Sequence, residues 1–228
     1  PITSIEKKNT TYYRFIYCSY TRILFHEKEY GGDSFYHSFT TRYNVYFNGI
    51  ENYKEQLKEM EEGYEDNFTD LLLMHPAQAY ANPKDPQPSG SFDRTIEKCQ
   101  KAIQLHSIKK RPKRNSKKMS DPKYREYMKR DEYNPFIHNA WRLMGKAQYY
   151  KGDFLGAAAT FLYISRHFTW MPDLVAESRI WQARCYIAMG WLYEAEDILL
   201  KINNEKLPDP KTTGCLLYTS RAHETAAN

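Results

Sequence analysis

No stretch of about twenty apolar residues occurs in this chain, so nothing in it reads as a membrane-spanning helix. Cysteine is scarce. Cys18, Cys99, Cys185 and Cys215 form no C-x-x-C pair and have no His cluster beside them, which argues against a metal site or a disulfide framework. Cys185 stands on an apolar helical face and reads as a small buried side chain. Catalytic signatures are missing too. Gly31-Gly32 is not followed by the Lys-Ser or Lys-Thr of a phosphate loop, and neither a G-x-S-x-G elbow nor an H-E-x-x-H helix is found. His37, His106, His138 and His167 are scattered and read as surface or half-buried side chains. Glu194 and Glu196-Asp197 read as a solvated helix face. These absences point away from an enzyme, and no cofactor, metal or small-molecule substrate is expected.

What the 228 residues do hold is aromatic side chain, 15% of the total with twenty Tyr, and a mild net charge of +5. The length suffices for one large or two small domains. Residues 139–202 carry a self-similar pattern with a period of thirty-eight. Gly145 recurs as Ala183, Gly152 as Gly190, Phe154 as Leu192 and Ala157 as Ala195. Phe161, Leu162 and Ile164 recur as Leu199, Leu200 and Ile202. A period of this size marks stacked helical hairpins. Trp141, Met144, Gly145 and Gln148 lie on one helical face. Lys151-Gly152-Asp153 breaks it, with Gly152 as left-handed C-cap and Asp153 as N-cap of the next helix. Ala157, Phe161 and Ile164 then form the inner stripe. The small Gly145 and Ala157 let the two backbones approach, and Phe161 fills the space beside them.

Elsewhere the pattern is looser. Residues 1–33 form a poorly defined segment in which Tyr12 to Cys18 reads as a strand or as the end of a secretion signal before a lipid-bearing Cys18. The chain opens on Pro1 and is expected to be a piece or a processed product of something longer. Residues 34–108 read as a cap region: Phe35, Phe39, Tyr43 and Tyr46-Phe47 form an aromatic helix, Asn48-Gly49 turns, and Ile50 to Glu62 returns with Tyr53, Leu57 and Met60. Asp66 to Met74 is a short apolar piece. Pro76, Pro83, Pro86 and Pro88 mark a loop, after which Ser89 or Ser91 caps a helix reaching about Ile108. Phe92, Ile96, Cys99, Ile103 and Leu105 or His106 line one side of it. Residues 109–133 are a basic linker with seven Lys or Arg between Lys109 and Lys118. That run reads as a solvated loop. No aromatic interleaves its charges as base stacking requires, so no nucleic-acid partner is expected. A short charged helix follows from Pro122. Residues 134–208 hold the two repeats, opened by Asn134-Pro135. Residues 209–228 form a disordered tail that, from about Gly214, resembles the translation of a transposon-type sequencing adapter and stands outside fold reasoning.

The segments Trp141-x-x-Met144-Gly145 and Gly152-Asp153-Phe154-x-x-Ala157-x-x-x-Phe161 resemble the tetratricopeptide repeat. The expected fold is therefore all-α, with tetratricopeptide-like hairpins stacked as an α-solenoid. The second unit departs from that pattern, with Arg179 where Trp141 stood. Phe35-Tyr36-His37, Thr41 to Gly49, Ile96 to Ile103 and Lys146 to Phe154 extend the likeness over roughly Ser34 to Pro208. Together they resemble the N-terminal part of a Bacteroidota tetratricopeptide lipoprotein family that includes the SprE/PorW proteins of gliding motility and type IX secretion. The resemblance implies an outer-membrane lipoprotein facing the periplasm, lipid-anchored in the full protein, that scaffolds other envelope proteins.

In repeats of this type the first helix of each hairpin lines the concave side. The resemblance thus places Asn139, Arg142, Lys146, Tyr149 and Tyr150 there from one unit, and Glu177, Ile180, Arg184 and Ile187 from the next. Arg142, Lys146 and Arg184 would make a basic strip flanked by Tyr, suited to an acidic or extended peptide. The alternative function is binding of nucleic acid or an anionic surface through residues 109–118. Deleting Lys109–Lys118 separates the two in a partner pull-down. A scaffold keeps its partner, whereas loss of capture favours the basic segment.

Overall fold

A computed structural model describes residues 32–202, apart from 67, 69–72, 74 and 83. The expectations for residues 1–31, for most of Asp66 to Met74 and for everything after Ile202 lie outside the described residues. Every regular element among the described residues is helical. The α-helices are α1 (Gly32–Thr40), α2 (Phe47–Gly63), α3 (Asp93–His106), α4 (Pro122–Tyr127), α5 (Ile137–Tyr150), α6 (Phe154–His167), α7 (Pro172–Ala188) and α8 (Leu192–Ile202). A π-helical turn, Thr41–Tyr46, joins α1 to α2. Short 3-10 turns cover Pro76–Ala81 and Ser116–Lys118. Packing follows chain order: α2 on α3, α3 on α5, α5 on α6, α6 on α7 and α7 on α8. None of these helices is long and apolar enough to cross a membrane.

The thirty-eight-residue pattern has a structural counterpart at nearly every position. Gly152 and Gly190 both take positive φ, +87° and +76°. Asp153 caps α6, its Oδ1 accepting from the Gly156 N–H at 2.9 Å. Ala157 and Ala195, Phe161 and Leu199, Ile164 and Ile202 are all fully buried. A Cβ added at Gly145 would stand 2.8 Å from Cζ of Phe161, so the ring occupies the space that a side chain would have taken. Phe161 stacks in turn on Trp181, with ring centroids 5.7 Å apart and planes 20° apart. Burying a side chain of this size contributes about 3 kcal/mol. One cluster, including Met60, Phe92, Tyr149, Phe154, Phe161 and Trp181, spans α2 to α7, and a second joins α7 to α8 through Ala183, Leu199 and Ile202.

Two expectations need correcting. Asn48-Gly49 is not a turn: the backbone stays helical from Gly32 to Gly63, and Gly49 has no positive φ. The reason is the stripe Tyr46, Ile50, Tyr53, Leu57 and Met60, which keeps its phase across Asn48-Gly49 and packs on the core. That burial exceeds the roughly 1 kcal/mol that glycine costs a helix. The partner of α2 is therefore α3, reached through residues 64–92. Nor does a serine cap α3. Its N-cap is Phe92, with no side-chain bond, while Ser89 donates to the Glu59 carbonyl and Ser91 to Asp93.

The proline-rich loop is packed rather than loose. His75 caps its 3-10 turn, Ala77 and Ala79 are buried, and the Tyr80 hydroxyl donates to the Pro88 carbonyl at 2.9 Å. Tyr80 lies on Gly152, where an added Cβ would meet its Cγ at 2.7 Å, whereas nothing lies within 4 Å of Gly190. The two turns thus share a backbone shape and differ in surroundings. Gly190→Ala is expected to cost about 1 kcal/mol from the left-handed conformation alone. Gly152→Ala should cost about 1–3 kcal/mol more through overpacking against Tyr80. Urea denaturation of both variants measures the difference, and equal losses would contradict the contact.

Candidate functional site

Of the nine residues expected on the concave side, seven (all but Ile180 and Ile187) fall in one connected cluster, built from α5 and α7. They do not share one role. Four make an ion network. Glu177 of α7 sits between two cations of α5, with Lys146 Nζ 2.9 Å from Oε1 and Arg142 Nη1 donating to Oε2 at 3.2 Å. Arg142 Nη2 donates to Asn139 Oδ1 at 3.2 Å. The i, i+3 and i+7 spacing of Asn139, Arg142 and Lys146 puts them on one face of α5, opposite Glu177. Burial pushes the Glu177 carboxyl up, but Lys146 and then Arg142 outweigh it and hold the group below the ordinary carboxylate range. Burial likewise opposes the Arg142 charge, and Glu177 more than restores it.

Of the other three, Tyr149 and Tyr150 are closed off from a partner, which corrects the expectation of an open tyrosine-flanked strip. Tyr149 is 1% exposed and Tyr150 6% exposed. Arg184 is half-buried, its guanidinium carbon 4.4 Å from the Trp181 ring centroid and 5.3 Å from that of Tyr149. Ile180 and Ile187 are buried as well. The physical cause is Trp181, whose bulk the thirty-eight-residue repeat pattern does not include. Its ring gathers Tyr149, Tyr150 and Phe161, and Lys146 Nζ lies 5.0 Å from its centroid. Behind it is a polar interior. Burial pushes Tyr149 up to about 12, with Arg184 pulling it back. Tyr53 is raised further, by burial and by Tyr150. His75 is lowered by burial and by Arg184, against the pull of Glu61.

What the residue pattern missed lies beside Asn139. A cleft of about 350 Å³ is lined by Arg42, Tyr43, Tyr46, Phe47, Ile50, Phe136 and Asn139. The π turn creates it. The turn adds a residue to the helical count, so Tyr43 and Phe47 stay outside, 53% and 56% exposed, while Tyr46 and Ile50 turn inward. Such turns are frequent at functional sites. Arg42 spans the cleft, 5.4 Å from the Tyr43 ring centroid and 5.8 Å from that of Phe136. Asn139 lines the cleft and accepts from Arg142, so cleft and ion network are continuous. The tyrosine and phenylalanine repeat at four-residue spacing was the available signal. The added residue of the π turn left none.

Other expected features are placed as follows. Lys109 to Lys118 is exposed but for the half-buried Pro112, and Asn115 ties it to Tyr124 through an N–H bond to the hydroxyl at 3.0 Å. His37 and His106, far apart in sequence, meet with their Nδ1 atoms 3.0 Å apart, and His106 is buried. Burial raises the thiol of Cys99 to about 12 and that of Cys185 further, so both resist ionisation. Among the described residues no group of three His, Cys, Asp or Glu could hold a metal ion.

The chain matches no protein-family model and no curated protein at a significant level.

The Glu177 bridge can be tested directly. Because its carboxyl is depressed in the folded chain, its stabilisation is present above the ordinary glutamate pKa of about 4.3 and fades as pH falls through the depressed value. Glu177→Gln should cost about 1 kcal/mol at pH 7, a modest figure because both cations are partly solvated. Denaturation at pH 7 and at pH 3 should show that cost shrinking. A cost independent of pH would mean that the bridge does not stabilise.

Proposed function

We propose that this chain is a non-enzymatic scaffold of stacked, tetratricopeptide-like helical hairpins that holds an acidic, extended segment of another protein. The hairpins would be α2 with α3, α5 with α6 and α7 with α8, and the docking face would be formed by the first helix of each. One observation carries the reading: the cleft walled by Tyr43, Phe47 and Phe136 runs without a break into the Arg142–Glu177–Lys146 network through Asn139. On that strip Arg142 and Lys146 share one carboxylate, Glu177, while Arg42 lies over the Tyr43 and Phe136 rings, so the balance of these groups is positive. Exposed aromatic rings supply rigid contact area and arginine supplies forked donors, which suits a partner that is acidic and part apolar. The resemblance of Ser34 to Pro208 to the SprE/PorW type of lipoprotein supports a place in the bacterial cell envelope, facing the periplasm, with gliding motility or type IX secretion as the linked process.

A photo-crosslinking residue at Phe47 tests this in cells of the source organism. A discrete adduct is expected at Phe47. It should be lost on Arg42→Glu and absent when the probe replaces the exposed Leu155 of α6. No adduct at Phe47, or the same adducts from both positions, would overturn the reading.

A further inference from the structure

Where the chain ahead of α5 meets the turn between α6 and α7, a second cleft opens, of about 420 Å³. Arg130 stands in its wall between two rings. Its guanidinium carbon lies 5.3 Å from the Tyr127 centroid and 5.1 Å from that of Trp170. Rings in these positions engage the guanidinium faces and leave its N–H edge for acceptors in the plane. That edge is incompletely used, because Nε is buried and meets no acceptor among the described residues. A buried donor left without a partner is costly.

The carboxylates next to Arg130 in sequence are both engaged elsewhere. Asp131 bonds His167 Nδ1 at 2.9 Å. Glu132 is buried and accepts from the N–H groups of Ile108, Tyr133 and Asn134 at 2.7, 3.1 and 2.9 Å, and from the Ser107 hydroxyl. Glu132 also lines the cleft, but its oxygens are taken by these donors and it forms no ion pair with Arg130, so the guanidinium edge is left without a carboxylate partner among the described residues. His138, also in the wall, is held below its ordinary range by burial and by Arg142, and is uncharged at neutral pH. The buried Phe168 ring and the Trp170 indole supply the apolar side, with centroids 5.3 Å apart.

We propose that this cleft binds a carboxylate carried on an apolar or aromatic group, the carboxylate paired with the Arg130 N–H edge and the apolar part against Trp170 and Phe168. A carboxylate matches the guanidinium fork and supplies the acceptor that Glu132, engaged by other donors, does not. The volume is that of a small-ligand site, enough for one free acid or for the last residue of a peptide. The site shares no lining residue with the first cleft and stands whether or not that cleft holds a partner.

Isothermal titration of the full chain at neutral pH with N-acetylphenylalanine, and with its amide, tests the proposal. The acid is expected to bind at least about tenfold more tightly than the amide, the factor a charged hydrogen bond confers. Arg130→Gln should lose about the same factor while its circular dichroism stays unchanged. Arg130→Lys, which keeps the charge but not the fork, should recover only part. A peptide ending in Gly-Gly-Phe with a free carboxylate separates the two sources. Tighter binding than N-acetylphenylalanine assigns the site to a partner's C-terminus, and equal binding assigns it to a free small acid. Equal affinity for acid and amide, no measurable binding of either, or unchanged binding by Arg130→Gln would each overturn the proposal.

Discussion

The helices keep their arrangement because the Phe161 ring lies where Gly145 has no side chain. A β-carbon at 145 would overlap that ring, so the separation of α5 and α6 is set by one missing methyl group and one aromatic plane. Trp181 stacks on the other side of the same ring and brings α7 into register. Interiors are packed as densely as organic crystals, so displacing one plane displaces its neighbours. Tyr149, Tyr150 and Phe154 fill in around this stack, and the partly buried Tyr53 of α2 packs against it through Tyr150. The second unit repeats the geometry in aliphatic form, with Ala183 for the glycine and Leu199 for the ring, both fully buried.

The parts legible in the sequence were those where one residue type answers one geometric demand. Gly152 and Gly190 could be read because a left-handed turn excludes most other residues. Asp153 could be read because few side chains can cap a helix. The inner stripes of α6 and α8 could be read because burial imposes a period. The hairpin expected over residues 34–62 failed for the opposite reason. Asn-Gly suits a tight turn but is tolerated in a helix when enough apolar surface depends on continuity, and Tyr46 through Met60 supply that surface. On the candidate face, Asn139, Arg142, Lys146 and Glu177 were placed together by resemblance and are found together. Tyr149 and Tyr150 are expected outside and are found inside, with Arg184 half-buried over the Trp181 and Tyr149 rings, because tertiary neighbours decide which side of an amphipathic ring meets water. Nothing local announced the π turn or the buried Glu132.

Two carboxylates show how the same group is used differently. Glu132 is buried and takes four donors from the backbone and Ser107, tying the end of α3 to the approach to α5 and closing the loop that holds the basic run. Its oxygens are satisfied by amide and hydroxyl dipoles rather than by a cation, which leaves the guanidinium of Arg130 beside it without an ion-pair partner among the described residues. Glu177 is half-buried and takes two cations from a neighbouring helix, so it restrains how α7 lies on α5. The first acts as a fixed clasp. The second is screened by salt and weakened by acid, and is the more adjustable of the two.

The π turn at Thr41–Tyr46 also has an evolutionary reading. One residue more or fewer in a helix rotates everything on one side of it by about 100°. Removing a single codon there would convert the turn to ordinary α-helix and swing Phe39 and Tyr43 to a different bearing, with the buried stack from α3 to α8 left in place. The aromatic patch is thus mounted on a hinge in sequence space, where one small deletion re-aims the surface while the fold persists.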